Sequence, residues 1–176
     1  MTVRLWDCVT GNQVRLMTGH KGPIFSLAFS TEGRFLASAG ADHRVLVWDL
    51  AHGHLVAALS GHTGNIHCLS FSRDGNILVS GIFIIHHYVN QIKMYRTTID
   101  CITLTGSLDC TLKLWDFIKL AEEMSLEDVN VSHNPDVKTN SESYLLRTFP
   151  TKNTSVLTLH FSRRNLLLGI GMFESA

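Results

Sequence analysis

Three six-residue stretches share one pattern of apolar and polar positions: "TVRLWD" at 2–7, "RVLVWD" at 44–49 and "TLKLWD" at 111–116. Apolar residues alternate along each, and Trp-Asp closes it. A period of two marks a strand with one buried face. Ahead of the second stretch, a segment from Gly19 gives an apolar alternation "IFSLAFS", a glycine turn "TEGR", a strand "FLASAG" and a turn at Ala41-Asp42-His43. The segment "GHTGNIHCLSFSRDGNILVSG" from Gly61 has the same layout. Short strands joined by tight turns predict a β-meander that recurs along the chain.

Spacing shows both the repeat and its interruption. Trp6 to Trp48 is 42 residues, whereas Trp48 to Trp115 is 67. His20 to Ser38 and His62 to Ser80 are each 18 residues, and Asp42 to Trp48 and Asp109 to Trp115 are each 6. The 25 extra residues therefore lie between Ser80 and Asp109. Removing about 82–106 restores "LVSGSLDCTLKLWD", which matches "LASAGADHRVLVWD" position for position. The insert falls in the turn between the second and third strands, where extra length costs little closure entropy. It is rich in Ile, Tyr, Asn, Lys and Thr rather than in turn-forming residues. That composition points to translated non-coding sequence, a retained intron, with a genuine surface loop as the alternative; transcripts read across codons 78–110 separate the two.

A Gly-His, Ser, Asp and Trp-Asp set recurring at about 42 residues resembles the WD40 family. The resemblance implies an all-β fold, a WD40 β-propeller that is incomplete here, with about two full blades and two partial ones against the 4 to 8 of a closed ring. It also implies a buried hydrogen-bonded tetrad in each blade: His20, Ser38, Asp42 and Trp48 in one, His62, Ser80, Asp109 and Trp115 in the next. Residues 1–18 then end a preceding blade and begin the next, 19–60 form an intact unit, and 61–118 form a unit interrupted at about 82–106. Residues 119–143 are expected as a polar surface loop with helical potential only near "KLAEEM", and 144–176, which lack Gly-His and Trp-Asp, as a terminal partial blade. Such a short stack leaves blade faces uncovered, so the chain is expected to be the C-terminal fragment of a longer protein and to aggregate or stay partly molten alone.

Ser, His and Asp in one unit suggest a hydrolase triad. A triad needs an exposed nucleophile beside an oxyanion hole, whereas these residues recur once per repeat, as groups that hold repeats together do. No enzyme activity is expected. His86 and His87 lack a third ligand at metal spacing, so no metal or other cofactor is expected. Arg163-Arg164 reads as a solvated bend after an apolar strand.

Composition narrows the picture further. With 15 Lys+Arg against 15 Asp+Glu in 176 residues, bulk charge gives no reason to expect nucleic-acid or membrane binding. Cys8, Cys68, Cys101 and Cys110 have no CxxC spacing and are expected as reduced thiols in an intracellular protein. No apolar run approaches the roughly 20 residues of a membrane helix, and no signal peptide or small-molecule substrate is indicated.

A finer likeness rests on "GHKGPI", "GRFLA", "RVLVWD" followed by "HG", "FSRDG" and the late "LHFSRRNLLL". Together they resemble the C-terminal propellers of TBP-associated WD40 subunits in the TFIID complex, with related subunits of the SAGA coactivator as the alternative. The resemblance implies a nuclear, non-catalytic scaffold of the RNA polymerase II machinery that packs against histone-fold TBP-associated subunits. A generic WD40 protein-interaction adaptor is the competing reading.

Overall fold

A computed structural model describes residues 1–75, 77–81, 92–94, 111–126, 141–150, 154–163 and 167–173. It is a row of antiparallel sheets. β1 (Thr2–Trp6) and β2 (Gln13–Thr18) form a two-stranded sheet. β3 (Ile24–Phe29), β4 (Phe35–Gly40), β5 (Val45–Asp49) and β6 (His54–Leu59) form a four-stranded meander in that order. The next sheet joins β7 (Cys68–Phe71), β8 (Ile77–Gly81), β10 (Thr111–Asp116) and β11 (Leu145–Pro150). A fourth joins β12 (Thr154–Phe161) and β13 (Leu167–Phe173) to β9 (Ile92–Met94). The leading strands β3, β7 and β12 lie side by side, so each sheet stacks on the next. This is the all-β, incomplete propeller architecture.

Registers repeat with the sequence. Leu27 lies opposite Ser38 and Leu69 opposite Ser80. Leu36 lies opposite Trp48 and Leu78 opposite Trp115. The turns after β3 and β7 close through Gly33 N–H to Ser30 O and Gly75 N–H to Ser72 O. Both glycines have φ near +75°, at +74° and +77°, a conformation that costs a residue with a Cβ about 1 to 2 kcal/mol.

Alternation puts the core between sheets. Val3 and Met17 of the first sheet pack with Leu36, Leu46 and Trp48 of the second. On the other face of that meander, Phe35, Ala37, Val45 and Val47 pack with Leu69, Leu78 and Trp115 of the following sheet. Cys68 and Leu114 then meet Val156, Leu159 and Leu167. Gly40 permits a close approach inside the meander, where a Cβ would stand 1.9 Å from the carbonyl oxygen of Pro23 at the entry to β3. Its own carbonyl accepts from the Ile66 amide at 3.0 Å, tying one sheet to the next.

Two expected boundaries change. The stretch 119–143, expected as a polar loop, begins inside the helix α1 (Phe117–Leu126). Asp116 Oδ1 accepts the Lys119 amide at 3.0 Å and caps it, while Phe117 and Leu120 are buried one turn apart. The Phe117 ring stands edge-on to Phe35 and Phe71, with centroids 5.4 and 5.0 Å away, and so bridges two sheets. Second, Leu145–Pro150 is not part of the terminal unit: β11 pairs with β10 and completes the interrupted blade. The helix is thus an excursion between the third and fourth strands of that blade. It is fastened to the start of β11 by the Tyr144 hydroxyl, which donates to Glu123, and by Lys119 Nζ donating to the Ser143 carbonyl at 3.2 Å.

Within the insert expected at 82–106, only β9 is described, and it pairs with β13 through Ile92, Lys93 and Met94. Among the described residues no helix is long and apolar enough to cross a membrane.

Candidate functional site

Four side chains meet inside the intact meander. Trp48 Nε1 donates to Ser38 Oγ at 2.7 Å, His20 Nε2 lies 2.7 Å from the same oxygen, and His20 Nδ1 lies 2.7 Å from Asp42 Oδ2. The Asp42 carboxylate can only accept, so Nδ1 carries the proton and Nε2 accepts from Ser38. Donors and acceptors then run in one direction: indole N–H to hydroxyl, hydroxyl to imidazole, imidazole to carboxylate. The Lys21 amide adds a bond to Asp42 Oδ2 at 3.0 Å.

Local sequence sets each member. Trp48 and Ser38 sit on adjacent strands two positions out of register, and His20 comes from the loop leading into β3. Gly19, beside it, leaves room for the indole: a Cβ there would lie 3.0 Å from the Trp48 ring. That explains the Gly-His pair as one unit, the glycine passing the ring and the histidine taking up the hydroxyl bonded to it.

Electrostatics follow from the geometry. Burial alone would raise the pKa of Asp42, but the His20 hydrogen bond and the Lys21 and Arg44 amides outweigh it and hold the carboxyl below its usual 3.8. Ser38 is fully enclosed. A nucleophile must reach substrate beside oxyanion donors, and this hydroxyl faces only indole, imidazole and strand backbone.

The second blade repeats the arrangement with longer bonds. His62 Nε2 lies 3.0 Å from Ser80 Oγ, and Trp115 Nε1 donates to that oxygen at 3.4 Å. Asp109, the fourth expected member, lies outside the described residues, as do His86, His87 and Arg164. Arg163 is exposed, and its carbonyl accepts from Arg73 at 3.3 Å. Among the described residues, no group of three His, Cys, Asp or Glu side chains is placed to hold a metal ion.

The aspartate of each Trp-Asp closes the chain's next bend. Asp7 Oδ1 accepts the Val9 amide at 2.8 Å, Asp49 Oδ1 accepts the Ala51 amide at 2.7 Å, and Asp116 caps α1. One residue type thus starts a turn twice and a helix once, since an Asp side chain reaches amides two or three residues on.

The first Trp-Asp differs. Trp6 is 51% exposed where Trp48 and Trp115 are 2% and 1% exposed, because among the described strands β1 pairs with β2 alone. On β3, Phe25, Leu27 and Phe29 are exposed on the same side of the molecule, with a groove of about 420 Å³ between β1 and β3. Reading "IFSLAFS" as a half-buried strand missed this surface. The signal was present, since Phe25, Leu27 and Phe29 on one face and Ile24 and Ala28 on the other leave no polar face.

Stacked four-stranded meanders, each with a Trp, Ser and His joined inside it, define a propeller-type repeat protein. The profile of the WD domain, G-beta repeat family matches residues 11–49, 53–81 and 84–116, and the chain belongs to that family. The third match begins within the 82–106 insert and ends on β10, whereas β8, where the second match ends, pairs directly with β10. Among curated proteins, the chain is 33% identical over 173 residues to transcription initiation factor TFIID subunit 5 of Caenorhabditis elegans, covering 97% of this chain and 22% of that protein. It is 44% identical over 59 residues to the subunit of the same name from Drosophila melanogaster, covering 34% of this chain and 8% of that protein. Coronin-7 of Rattus norvegicus is 43% identical over 47 residues, 27% of this chain and 5% of that protein. The chain therefore spans about a fifth or less of the length of these relatives.

Proposed function

We propose that the chain is a non-catalytic WD40 scaffold of the general RNA polymerase II transcription machinery, acting in the nucleus in assembly of the TFIID complex. The observation that carries this reading is the reach of the likeness to the TFIID subunit of Caenorhabditis elegans, which runs along 97% of this chain. The coronin-7 likeness is confined to 27% of it and favours a second reading, a generic protein-interaction adaptor.

In the first reading the partners are proteins, with TBP-associated histone-fold subunits foremost, and SAGA-type membership is the near alternative. His20, Ser38, Asp42 and Trp48, with His62, Ser80, Asp109 and Trp115, act as structural clamps that fix each blade, leaving rims and loops to make contacts. The enclosure of Ser38 supports a structural over a catalytic role. Affinity purification of the tagged natural protein from nuclear extract tests the reading. TBP and histone-fold subunits in stoichiometric amounts are expected. Recovery with SAGA components instead, or without TBP, would overturn it.

A further inference from the structure

We propose that the groove between α1 and the turns after β3 and β7 is a docking site for an arginine side chain carried, next to an aliphatic residue, on an extended segment of a partner protein. The groove has a volume of about 280 Å³ and an apolar floor of Phe117, Ile118 and Ala121 from the helix. Its rim is acidic, with Glu32 from the turn after β3, Asp74 from the turn after β7 and Glu122 from the helix. All of these belong to two consecutive sheets that pack on each other through Phe35, Leu69, Leu78 and Trp115, so the groove does not depend on the uncovered faces at either end of the row.

The walls are held in place by the fold itself. Thr31 Oγ1 donates to the Ser72 carbonyl at 3.0 Å, which ties one turn to the other. Gly75 leaves room for the neighbouring carboxylate, since a Cβ there would stand 3.2 Å from Glu32 Oε2. The Phe117 ring, set between Phe35 and Phe71, seats the first turn of the helix. Preorganised walls lower the ordering cost of binding.

The charge of the rim is not answered from within. Each carboxylate has a basic neighbour in sequence, and each of those cations is engaged elsewhere. Arg34 lies 3.7 Å from Asp49 and over the Phe35 ring. Arg73 donates to the Arg163 carbonyl at 3.3 Å. Lys119 donates to the Ser143 carbonyl and lies over the Tyr144 ring. Asp74 accepts from the Ser72 hydroxyl, and neither Glu32 nor Glu122 has an ion pair among the described residues. In a chain with 15 acidic and 15 basic residues this is a local excess of negative charge, and it selects a cation.

Shape and chemistry choose arginine. A metal ion or small amine would leave the floor uncovered, whereas a long basic side chain lays its methylene stem on apolar surface and keeps its charged head at the rim. The carboxylates come from three separate elements, and a guanidinium offers a planar fork of donors where an ammonium is a point charge. At about 280 Å³ the groove suits one such side chain, since pockets for whole small molecules run from roughly 300 to 1,000 Å³. Ile118, 39% exposed, gives the aliphatic neighbour a surface to cover. The site is independent of which complex the chain serves.

The full chain, labelled for amide NMR, is titrated with the capped peptide Gly-Ala-Arg-Ile-Ala-Gly and with versions carrying lysine or methionine in place of arginine. The Glu32, Gly75, Ile118 and Ala121 amides are expected to shift saturably with the arginine peptide, to need several-fold more of the lysine peptide and to ignore the methionine peptide. Glu32→Gln combined with Glu122→Gln weakens the arginine peptide at least about tenfold, while the melting temperature holds or rises because like charges are removed. Ile118→Arg puts a guanidinium into the groove from the helix and is expected to exclude the peptide without lowering the melting temperature. No saturable shift with the arginine peptide overturns the proposal, as do shifts that map outside the groove. Equal binding of the lysine or methionine peptide does so too, as does undiminished binding to either variant. Self-association of the chain that the double substitution abolishes would assign the groove to a second copy and overturn the partner named here.

Discussion

Trp48 Nε1 lies 2.7 Å from Ser38 Oγ, whereas the equivalent pair in the next sheet, Trp115 and Ser80, is separated by 3.4 Å. The same residues at the same register thus make a tight bond in the uninterrupted blade and a loose one in the blade that carries the insert. Geometry at the upper end of the hydrogen-bond range contributes little, so the two networks differ in what their removal costs.

Ser38→Ala tests this. The substitution leaves the Trp48 N–H and the His20 imidazole buried without their shared partner, at about 1 to 3 kcal/mol for each orphaned group. Ser80→Ala is expected to cost less, since it breaks bonds of 3.0 and 3.4 Å. Urea denaturation of the two variants ranks them. A larger loss for Ser80→Ala contradicts the assignment of the tighter clamp to the intact blade.

The pH dependence has a definite sign. The Asp42 pKa is lowered from 3.8 in the folded state. A depressed carboxyl contributes stability that is fully present above the unfolded value and is lost as pH falls through the folded value. The contribution of the Asp42 carboxylate should therefore persist down to about pH 4 and fade below that. Asp42→Asn should flatten this acid limb, and thermal melts between pH 5 and 2 measure it. An unchanged acid limb in Asp42→Asn would show that another carboxyl dominates.

Much of this fold was legible from the chain because the repeat restates itself. The 18-residue His-to-Ser interval places His20 on Ser38 and His62 on Ser80, whereas "RVLVWD", expected with one buried face, is buried at every position of β5 because sheets cover both of its faces. Two things were hidden. The helix beginning at Phe117 depends on an Asp116 cap and on two phenylalanines, Phe35 and Phe71, that come from other sheets, so its stability is tertiary and leaves only a weak local pattern. Likewise Leu145–Pro150 reads as a strand from its own residues, but its partner β10 lies beyond a long excursion and no local signal names it.

Phe117 is the lever on that helix. Its ring contacts aromatic side chains of two adjacent sheets and is almost fully buried. Phe117→Ala should cost about 3 to 5 kcal/mol, and Asp116→Ala about 1 kcal/mol through loss of the cap. Chemical denaturation orders the two, and a cost for the cap variant above that of the core variant would mean that α1 stands by its own propensity.

Thiol reactivity separates the described cysteines. Burial pushes the Cys68 thiol to about 12, so its thiolate, the reactive form, is scarce at neutral pH, while Cys8 is exposed. In a Cys101→Ser, Cys110→Ser background, a disulfide reagent should modify one thiol at once and the second only on unfolding. Prompt modification of both would show that the contact between Cys68, Leu114 and Val156 opens readily.

Excision of residues 82–106 weighs the insert against the repeat. In the intact blade the connection from β4 to β5 covers residues 41–44, whereas β8 to β10 covers 82–110. That is about three doublings of loop length, or about 2 kcal/mol of closure entropy. Excision also returns Asp109 to the spacing from Ser80 that Asp42 has from Ser38, where a carboxylate fixes the histidine tautomer. Against this stands the pairing of β9 with three residues of β13, which excision removes. A three-residue edge strand contributes few bonds, each worth about 1 kcal/mol net, and ordering its flanking chain costs about 1 to 2 kcal/mol per residue. The balance favours excision, so the shortened chain should melt higher and its Trp115 emission should match that of Trp48. A lower melting temperature would mean that β9 holds the terminal sheet in place and that the insert is a working part of the fold.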